Sequence, residues 1–302
     1  MGPWLSRIQR RDDRFDRRID LLDAQRDAHQ IVDLLSNHLF PLDIFVSTEL
    51  AQFRTFAIPT ISALLHGTAQ YERDGARRLD DTKAILMEIM GPGPSSPEGR
   101  EMVDHLNRIH GHYRISNDDF LFTLSVFVVD PTRWIEKWGW RPLRTVERDA
   151  LFHLYRELGQ HMGIQALPDT YEALATWRDA YEARTQRYTP ANEAVARGLI
   201  TALSAFAPER LRVVTEPVIA ALLPDDTLVS ALGLKRPSVA VHRALTAALR
   251  TRQRVRRHVT PWNELKWWDT AFMRTYPTYP SGYERMRLGP HKVVARLQRS
   301  AG

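Results

Sequence analysis

Apolar residues recur every three to four positions over most of the chain, and polar or charged residues fill the intervals. This spacing places the apolar side chains along one face of an α-helix. The first such segment is the charged run 14–39, and the second covers 44–65 with Pro59 as an expected kink. The same pattern predicts helices over 76–90, from Ser96 into the histidine-rich stretch, and over 118–130, 145–162, 169–188, 191–205, 207–223 and 238–258.

One of these segments differs from the rest because it is apolar almost all round. Residues 118–130 read DDFLFTLSVFVVD, with Asn117 or Asp118 as a natural N-cap. A helix without a polar face belongs in the centre of a fold. Asp130 and Pro131 are expected to end it.

Strict alternation of apolar and polar residues, which is typical of a strand, is nearly absent. Val213–Val214 and Val239–Val241 are the only strand-like hints. The pattern therefore predicts an all-α fold with about ten helices in a single multi-helix globular domain. Residues 1–40 are expected to form an N-terminal charged helix, 41–260 the main helical domain, and 261–302 an irregular tail, rich in Trp, Tyr and Pro, that packs on it.

The composition removes several classes of function. The chain has no cysteine, which excludes disulfides, iron–sulfur clusters and thiolate-ligated haem. The sequence contains neither GxSxG nor a Walker lysine loop, and the glycine-rich loop 91–99 lacks GxGxxG. The N-terminus has no signal-peptide core, and the apolar run 120–129 is too short to span a bilayer. A soluble, cytoplasmic protein is expected; nothing indicates its oligomeric state.

The net charge is +6, and the densest basic cluster is RTRQRVRRH at residues 250–258. Such a cluster either forms a solvated helix end or contacts phosphate or an acidic surface. No zinc-finger, basic-zipper or RNA-binding motif accompanies it. No nucleic-acid partner is therefore expected, although a basic nucleic-acid-binding protein remains one alternative.

Three histidines fall within eight residues, at positions 105, 110 and 112. On a helix, His105 and His112 share a face and His110 points roughly the other way. The spacing favours one buried histidine, His110, with two exposed neighbours. On the residues alone, His110 is either a core or capping histidine or a ligand. One helix cannot direct all three at a single metal, and HExxH is absent.

Two further constellations carry polar chemistry. Arg78 and Thr82, in RRLDDT, lie one turn apart on one helix face. Together they suit a carboxylate, a haem propionate or dioxygen, or they belong to an exposed helix start. The second is a stripe of acidic residues and histidines at every fourth position: Asp149, His153, Glu157 and His161. This stripe is expected to be a solvated helix face with local pairs.

The order of these motifs resembles the MpaB-type oxygenases, the family that includes the rubber-cleaving latex clearing proteins. The resemblance is carried by RRLDDT and, about thirty residues later, RIHGHYRISNDDFLFTLSVFVVDPTRW. GWRPL (139–143), ERDALFHLYRELGQHMGI and LPDTYEAL follow in the family's order, and YPTYPSGYERMRLG is similar to its end. The similarity is strongest over residues 45–190.

The resemblance implies a globin-reminiscent helical fold that holds haem b, with 41–260 as the oxygenase-like domain. It implies oxidative cleavage of a double bond in an isoprenoid-type or other apolar substrate by dioxygen. His110 falls at the position of the axial ligand to the haem iron. Arg78 and Thr82 fall at the family's catalytic positions on the opposite side, and Arg78 also contacts the cofactor.

Two positions depart from the rubber-cleaving members. Asp81 stands where those enzymes have a lysine before the threonine, and their upstream glutamate base has no counterpart, since Glu72 is too close to Arg78. A prenyl side chain of a small metabolite therefore matches better than rubber. These departures also motivate the main alternative, a non-catalytic helical protein that binds an apolar ligand or a partner.

Overall fold

A computed structural model describes residues 8–10, 13–261 and 276–301 of the chain. Their architecture is all-α, as predicted, with fourteen α-helices. In chain order these are α1 (Arg14–Ile19), α2 (Ala28–Leu34), α3 (Pro41–Phe56), α4 (Pro59–Thr68), α5 (Gln70–Met90), α6 (Pro97–His110), α7 (Asn117–Trp138), α8 (Thr145–His161), α9 (Tyr171–Thr185), α10 (Pro190–Ser204), α11 (Thr215–Leu222), α12 (Asp226–Ala231), α13 (Val239–Arg256) and α14 (His291–Ala301).

Shorter elements complete the described chain. A π-helical turn covers Leu35–Leu39, and 3-10 turns cover Glu209–Val214 and Arg285–Arg287. Strands β1 (Ile8–Arg10) and β2 (Val259–Pro261) pair antiparallel. This pair, which the apolar pattern did not predict, joins the chain just before α1 to the chain just after α13.

The predicted helix 14–39 is interrupted, and aspartates explain the break. The carboxylate of Asp23 accepts the backbone N–H groups of Gln25 and Arg26 at 3.0 and 2.8 Å. Asp27 in turn accepts the N–H of Asp23 at 2.9 Å. Such local side-chain bonds compete with the helical backbone bonds, so α1 ends at Ile19 and α2 begins at Ala28.

Two prolines act differently from the prediction. Ile58 is extended, and Pro59 begins a new helix instead of kinking an existing one. Pro131 lies inside α7, which continues to Trp138, so the predicted end at residue 130 is wrong. The buried apolar side chains around Pro131, such as Val128 and Ile135, outweigh the one backbone bond that proline removes.

The strand-like hints are also wrong. Val213 and Val214 lie in a 3-10 turn, and Val239–Val241 begin α13, where the Ser238 hydroxyl accepts the N–H of Val241 at 3.3 Å. The tail predicted to be irregular contains α14 and a 3-10 turn in its described part; residues 262–275 lie outside the described residues.

The apolar helix α7 lies in the centre of the fold, packed against α3, α8 and α9. One apolar core contains residues of α2, α6, α7 and α8, and a second contains residues of α5, α10, α11 and α12. α5 contacts α6 on one side and α10 on the other. No helix within the described residues combines the length and the apolar character needed to cross a bilayer.

The basic cluster 250–258 is not a uniformly solvated helix end. Arg252 forms a two-pronged ion pair with the buried carboxylate of Asp43, both distances being 2.9 Å. Arg256 is buried, and Arg257 donates to the backbone oxygen of Trp140 at 3.2 Å. At least three of its arginines thus attach α13 to the rest of the domain instead of presenting their charge to a partner.

Candidate active site

Arg78 and Thr82 are in direct contact on α5, as their spacing predicts. The Thr82 hydroxyl donates to the backbone oxygen of Arg78 at 2.8 Å and accepts a hydrogen bond from the Arg78 guanidinium. That guanidinium lies 5.3 Å from the centre of the Tyr71 ring. The threonine and the aromatic ring therefore orient the arginine from two sides.

His110 is the last residue of α6, and its ring packs 5.2 Å from the ring of Phe120 on α7. The ring is partly exposed, but its Nδ1 atom is buried and has no hydrogen-bond partner. Burial and, to a lesser extent, the charge of Arg78 lower the pKa of His110 to about 4. The imidazole is therefore neutral at physiological pH, the form in which histidine binds a metal.

α5 and α6 bring His110 and Arg78 into one electrostatic environment. The positive charge of Arg78 adds to the lowering of the pKa of His110. Burial raises the pKa of the Tyr113 phenol, and the charge of Arg78 opposes that rise only in part. Arg78 and His110, 32 positions apart in sequence, thus lie on neighbouring helices, close enough for the charge of one to act on the other.

The expectation of two exposed neighbouring histidines is half wrong. His105 is buried, and its Nε2 lies 2.9 Å from the backbone oxygen of Leu288. His112 is exposed and bonds through Nδ1 to the backbone oxygen of Arg108 at 2.9 Å. α6 ends at His110, so His112 lies beyond the helix and does not share a helix face with His105. The C-terminal segment covers the face that carries His105.

Within the described part of the chain, no three His, Asp or Glu side chains are grouped so that they could hold a metal. The stripe on α8 makes local pairs instead. Ser95 contacts both Glu157 and His161, and Arg148 pairs with Asp149 at 2.9 Å.

Asp81 has a structural partner that the sequence did not reveal. Its buried carboxylate accepts hydrogen bonds from the hydroxyl of Tyr279 and from the backbone of Gly289, and burial raises its pKa. The adjacent Asp80 accepts from the N–H and hydroxyl of Thr278 at 2.9 and 2.8 Å. The segment 276–290 is therefore attached to α5 beside Arg78 and Thr82.

Replacement of Tyr279 by phenylalanine is expected to lower the free energy of unfolding by about 1–2 kcal/mol, because it removes the hydroxyl donor to a buried carboxylate. Urea unfolding followed by circular dichroism measures the change. Tyr188→Phe is the matched control, since the Tyr188 hydroxyl bonds to Glu193 on the surface. Equal effects of the two replacements would contradict this assignment of the attachment.

Glu49 on α3 carries a perturbed carboxyl that sequence reasoning did not single out. Burial raises its pKa to about 7, against the opposing effects of Lys83 and of Gln52, whose amide donates to the carboxylate at 2.8 Å. The Glu49 charge also acts on the phenol of Tyr71, the ring that Arg78 covers. One signal was available, because Glu49 is the one acidic residue in the segment 44–65. Glu72, by contrast, pairs with His66 at the surface.

The titration of Glu49 predicts a specific pH dependence of stability. Unfolded, this carboxyl loses its proton near pH 4.5, whereas in the fold it does so near 7. The folded state therefore binds the extra proton between these values, and the free energy of unfolding contributed by Glu49 falls as the pH rises through them. Glu49→Gln, which mimics the neutral acid, is expected to be more stable than the wild type by roughly 3 kcal/mol at pH 8 and nearly equal at pH 4.5.

Chemical denaturation at a series of pH values tests this expectation. Glu209→Gln replaces an exposed carboxylate and serves as the control. A difference between Glu49→Gln and the wild type that does not grow with pH would show that Glu49 does not titrate as stated.

The chain has clear relatives. Residues 46–278 match the family model described as ER-bound oxygenase mpaB/B'/rubber oxygenase, catalytic domain. ER-bound oxygenase mpaB' of Penicillium brevicompactum is 30% identical over 240 residues, which make up 74% of this chain and 56% of the relative. ER-bound oxygenase mpaB of Penicillium roqueforti (strain FM164) is 31% identical over 179 residues, or 53% and 60% of the two chains.

The chain spans about half the length of these curated relatives, with 56% and 60% covered in the two cases. Arg78, Thr82, His110 and Glu49 all lie inside the residues that match the family model. The match covers most of the chain and includes both helices of the candidate site. The protein therefore belongs to the family of the MpaB-type and rubber oxygenases.

Proposed function

We propose that this protein is a haem b-dependent oxygenase that uses dioxygen to cleave or oxidise a double bond in an isoprenoid-type or other apolar substrate. One observation carries the proposal. His110 is a neutral imidazole at a helix end whose ring nitrogens hydrogen-bond to no described residue, beside the arginine and threonine of α5. Membership in an oxygenase family supports the activity, since the named relatives are oxygenases.

The side chains around His110 support haem b as the cofactor. His110 would hold the iron through a ring nitrogen, Phe120 and Leu106 would offer apolar surface to the macrocycle, and Arg78 would pair with a propionate. Iron held in this way would supply the activation of dioxygen. A buried imidazole nitrogen that has no partner among the described residues is costly, and ligation of the ring would account for a histidine at this position.

The remaining roles belong to the protein's own side chains. Arg78, oriented by Thr82 and by the Tyr71 ring, stabilises negative charge that develops near the helix interface. The Glu49 carboxyl, with its pKa near 7, can accept or return a proton at neutral pH. Asp81 does not provide an iron ligand of the lysine type, because it holds Tyr279.

Two points bear on the substrate class: the family, and the presence of Asp81 where the rubber-cleaving members have a lysine. A chain that lacks the lysine of the rubber-cleaving members fits the mpaB-like branch better, and both relatives described above carry that name. We therefore propose a small metabolite with a prenyl side chain as the substrate in preference to rubber.

The experiment uses haem-loaded protein, ¹⁸O₂ and two probes, a farnesylated phenol and its fully saturated analogue. Oxygen uptake and mass spectrometry of the products are measured together. We expect label from ¹⁸O₂ in products of the unsaturated probe and none in the saturated one. Haem-loaded protein that consumes no oxygen with the unsaturated probe, or treats both probes alike, would favour the non-catalytic alternative.

A further inference from the structure

A cavity of about 500 Å³ lies far along α7 from His110. Its walls are α3, α7, α9 and the connection between α11 and α12, and none of Arg78, Thr82 or His110 lines it. Small-molecule sites are typically concave spaces of roughly this size, lined by apolar and aromatic side chains with a few placed polar groups. The cavity is thus separate from the candidate oxygenase site and large enough for a ligand.

Buried charges line one part of this cavity. Arg54 pairs with Asp130 at 3.0 Å and with Glu182, while Arg178 pairs with Asp130 at 2.7 Å. The exposed fractions of the two arginines are only 7% and 1%. Desolvation makes such pairs weak contributors to stability. A rigid polar surface at a cavity, with its charges already balanced, is the arrangement of a preformed binding site.

Two tryptophans also line the cavity. The rings of Trp134 and Trp138 are 6.4 Å apart and inclined by 54°. The Lys137 ammonium lies 4.9 Å from the centre of the Trp138 ring. Leu50 and Leu222 also line the cavity. The tryptophans offer flat apolar faces to a ring, and Lys137 places a positive charge at their edge.

Of the buried lining atoms without a hydrogen-bond partner, two are donors, and the third, Asp130 Oδ2, lies 3.0 Å from Arg54 Nε in an ion pair. Arg178 Nε and Gln186 Nε2 are buried and have no acceptor. Lys137 is exposed at the rim, and among the described residues it has a tryptophan ring beside it but no carboxylate. Asp225, the remaining acid of the lining, already accepts the N–H of Leu228 at 2.8 Å. A ligand that satisfies these donors must bring acceptor oxygens and negative charge.

We propose that this cavity binds an aromatic carboxylate, with its ring against Trp134 and Trp138 and its carboxylate at Lys137. The ring gains stacking and apolar contact, and the carboxylate pairs with the cation that the protein leaves uncompensated. This site is independent of the haem proposal, because none of Arg78, Thr82 and His110 lines it.

Calorimetric titration of the full chain with 2-naphthoate tests the proposal, and 2-naphthalenemethanol serves as the neutral probe of the same shape. The wild type is expected to bind naphthoate about tenfold more tightly than the alcohol, which corresponds to one charge-assisted contact. Lys137→Gln should lose that tenfold preference and keep its affinity for the alcohol. Lys235→Gln, which removes an exposed lysine outside the cavity, should behave like the wild type.

Two further variants separate this cavity from other sites. Trp138→Leu is expected to weaken both probes several-fold, because it removes a stacking face. His110→Ala should leave naphthoate binding unchanged. The proposal is overturned if the wild type does not bind naphthoate, if Lys137→Gln and Lys235→Gln bind it equally, or if His110→Ala abolishes binding, which would assign the probe to the site of His110.

Discussion

Replacement of His110 by alanine is expected to leave the chain with less than about a tenth of the haem that the wild type retains. The physical reason is specific to this side chain. His110 is neutral because burial lowers its pKa to about 4, and its ring nitrogens are unused by the rest of the described fold. Removal of the imidazole takes away the proposed axial bond and should not disrupt a hydrogen-bond network. Haem content after haemin reconstitution and gel filtration measures the effect.

His112→Ala is the matched control, because His112 lies two residues away, is exposed and bonds only to the Arg108 backbone. That variant should retain haem at the wild-type level. His105 is a poorer control, since its hydrogen bond to Leu288 holds the C-terminal segment. Full haem retention by His110→Ala, or loss in His112→Ala alone, would contradict the assignment of the axial position.

The second large effect concerns stability. Arg178→Met is expected to lower the free energy of unfolding by roughly 3–5 kcal/mol, the usual cost of removing one partner from a buried ion network. Arg178 is 1% exposed and pairs with Asp130 and Asp179, both at 2.7 Å. Without it, the Asp130 carboxylate is left to Arg54 alone in a poorly solvated position. Urea denaturation compares the variant with the wild type.

Arg133→Met provides the control for this loss of charge. Arg133 forms a close, two-pronged pair with Asp179, but the side chains are 44% and 47% exposed. Solvent weakens such a pair, so the replacement should cost roughly 0–1 kcal/mol. A cost below about 1 kcal/mol for Arg178→Met as well would mean that the network is not held as tightly as its burial indicates.

Much of the fold follows from local pattern alone. The predicted helices 145–162, 169–188 and 191–205 correspond closely to α8, α9 and α10, because apolar periodicity and capping residues agree there. The segment 118–130 was correctly expected in the centre. The end of this helix was predicted wrongly. Pro131 removes a backbone hydrogen bond, which is a local effect visible in the sequence, whereas the packing that outweighs this loss comes from helices distant in sequence.

In the candidate site, too, the local contacts could be predicted from the sequence and the long-range contacts could not. The contact of Arg78 with Thr82 depends only on helical spacing, so the sequence predicts it. The burial of His105 depends on the segment 276–290, and the raised pKa of Glu49 depends on burial by tertiary packing; pattern reasoning can place neither. Asp81 is a further example. The sequence shows that it replaces the lysine of the rubber-cleaving members, but it does not show that Asp81 bonds to Tyr279, because the two residues are 198 positions apart.

The visible absorption spectrum of the wild-type chain, purified from haem-supplemented cells and recorded before and after reduction, tests the central claim most directly. A strong Soret band at close to one haem per chain, with visible bands that shift on reduction, is the result expected for iron held by His110. A colourless protein that also fails to take up added haemin would contradict the proposed cofactor, and with it the haem-dependent reaction.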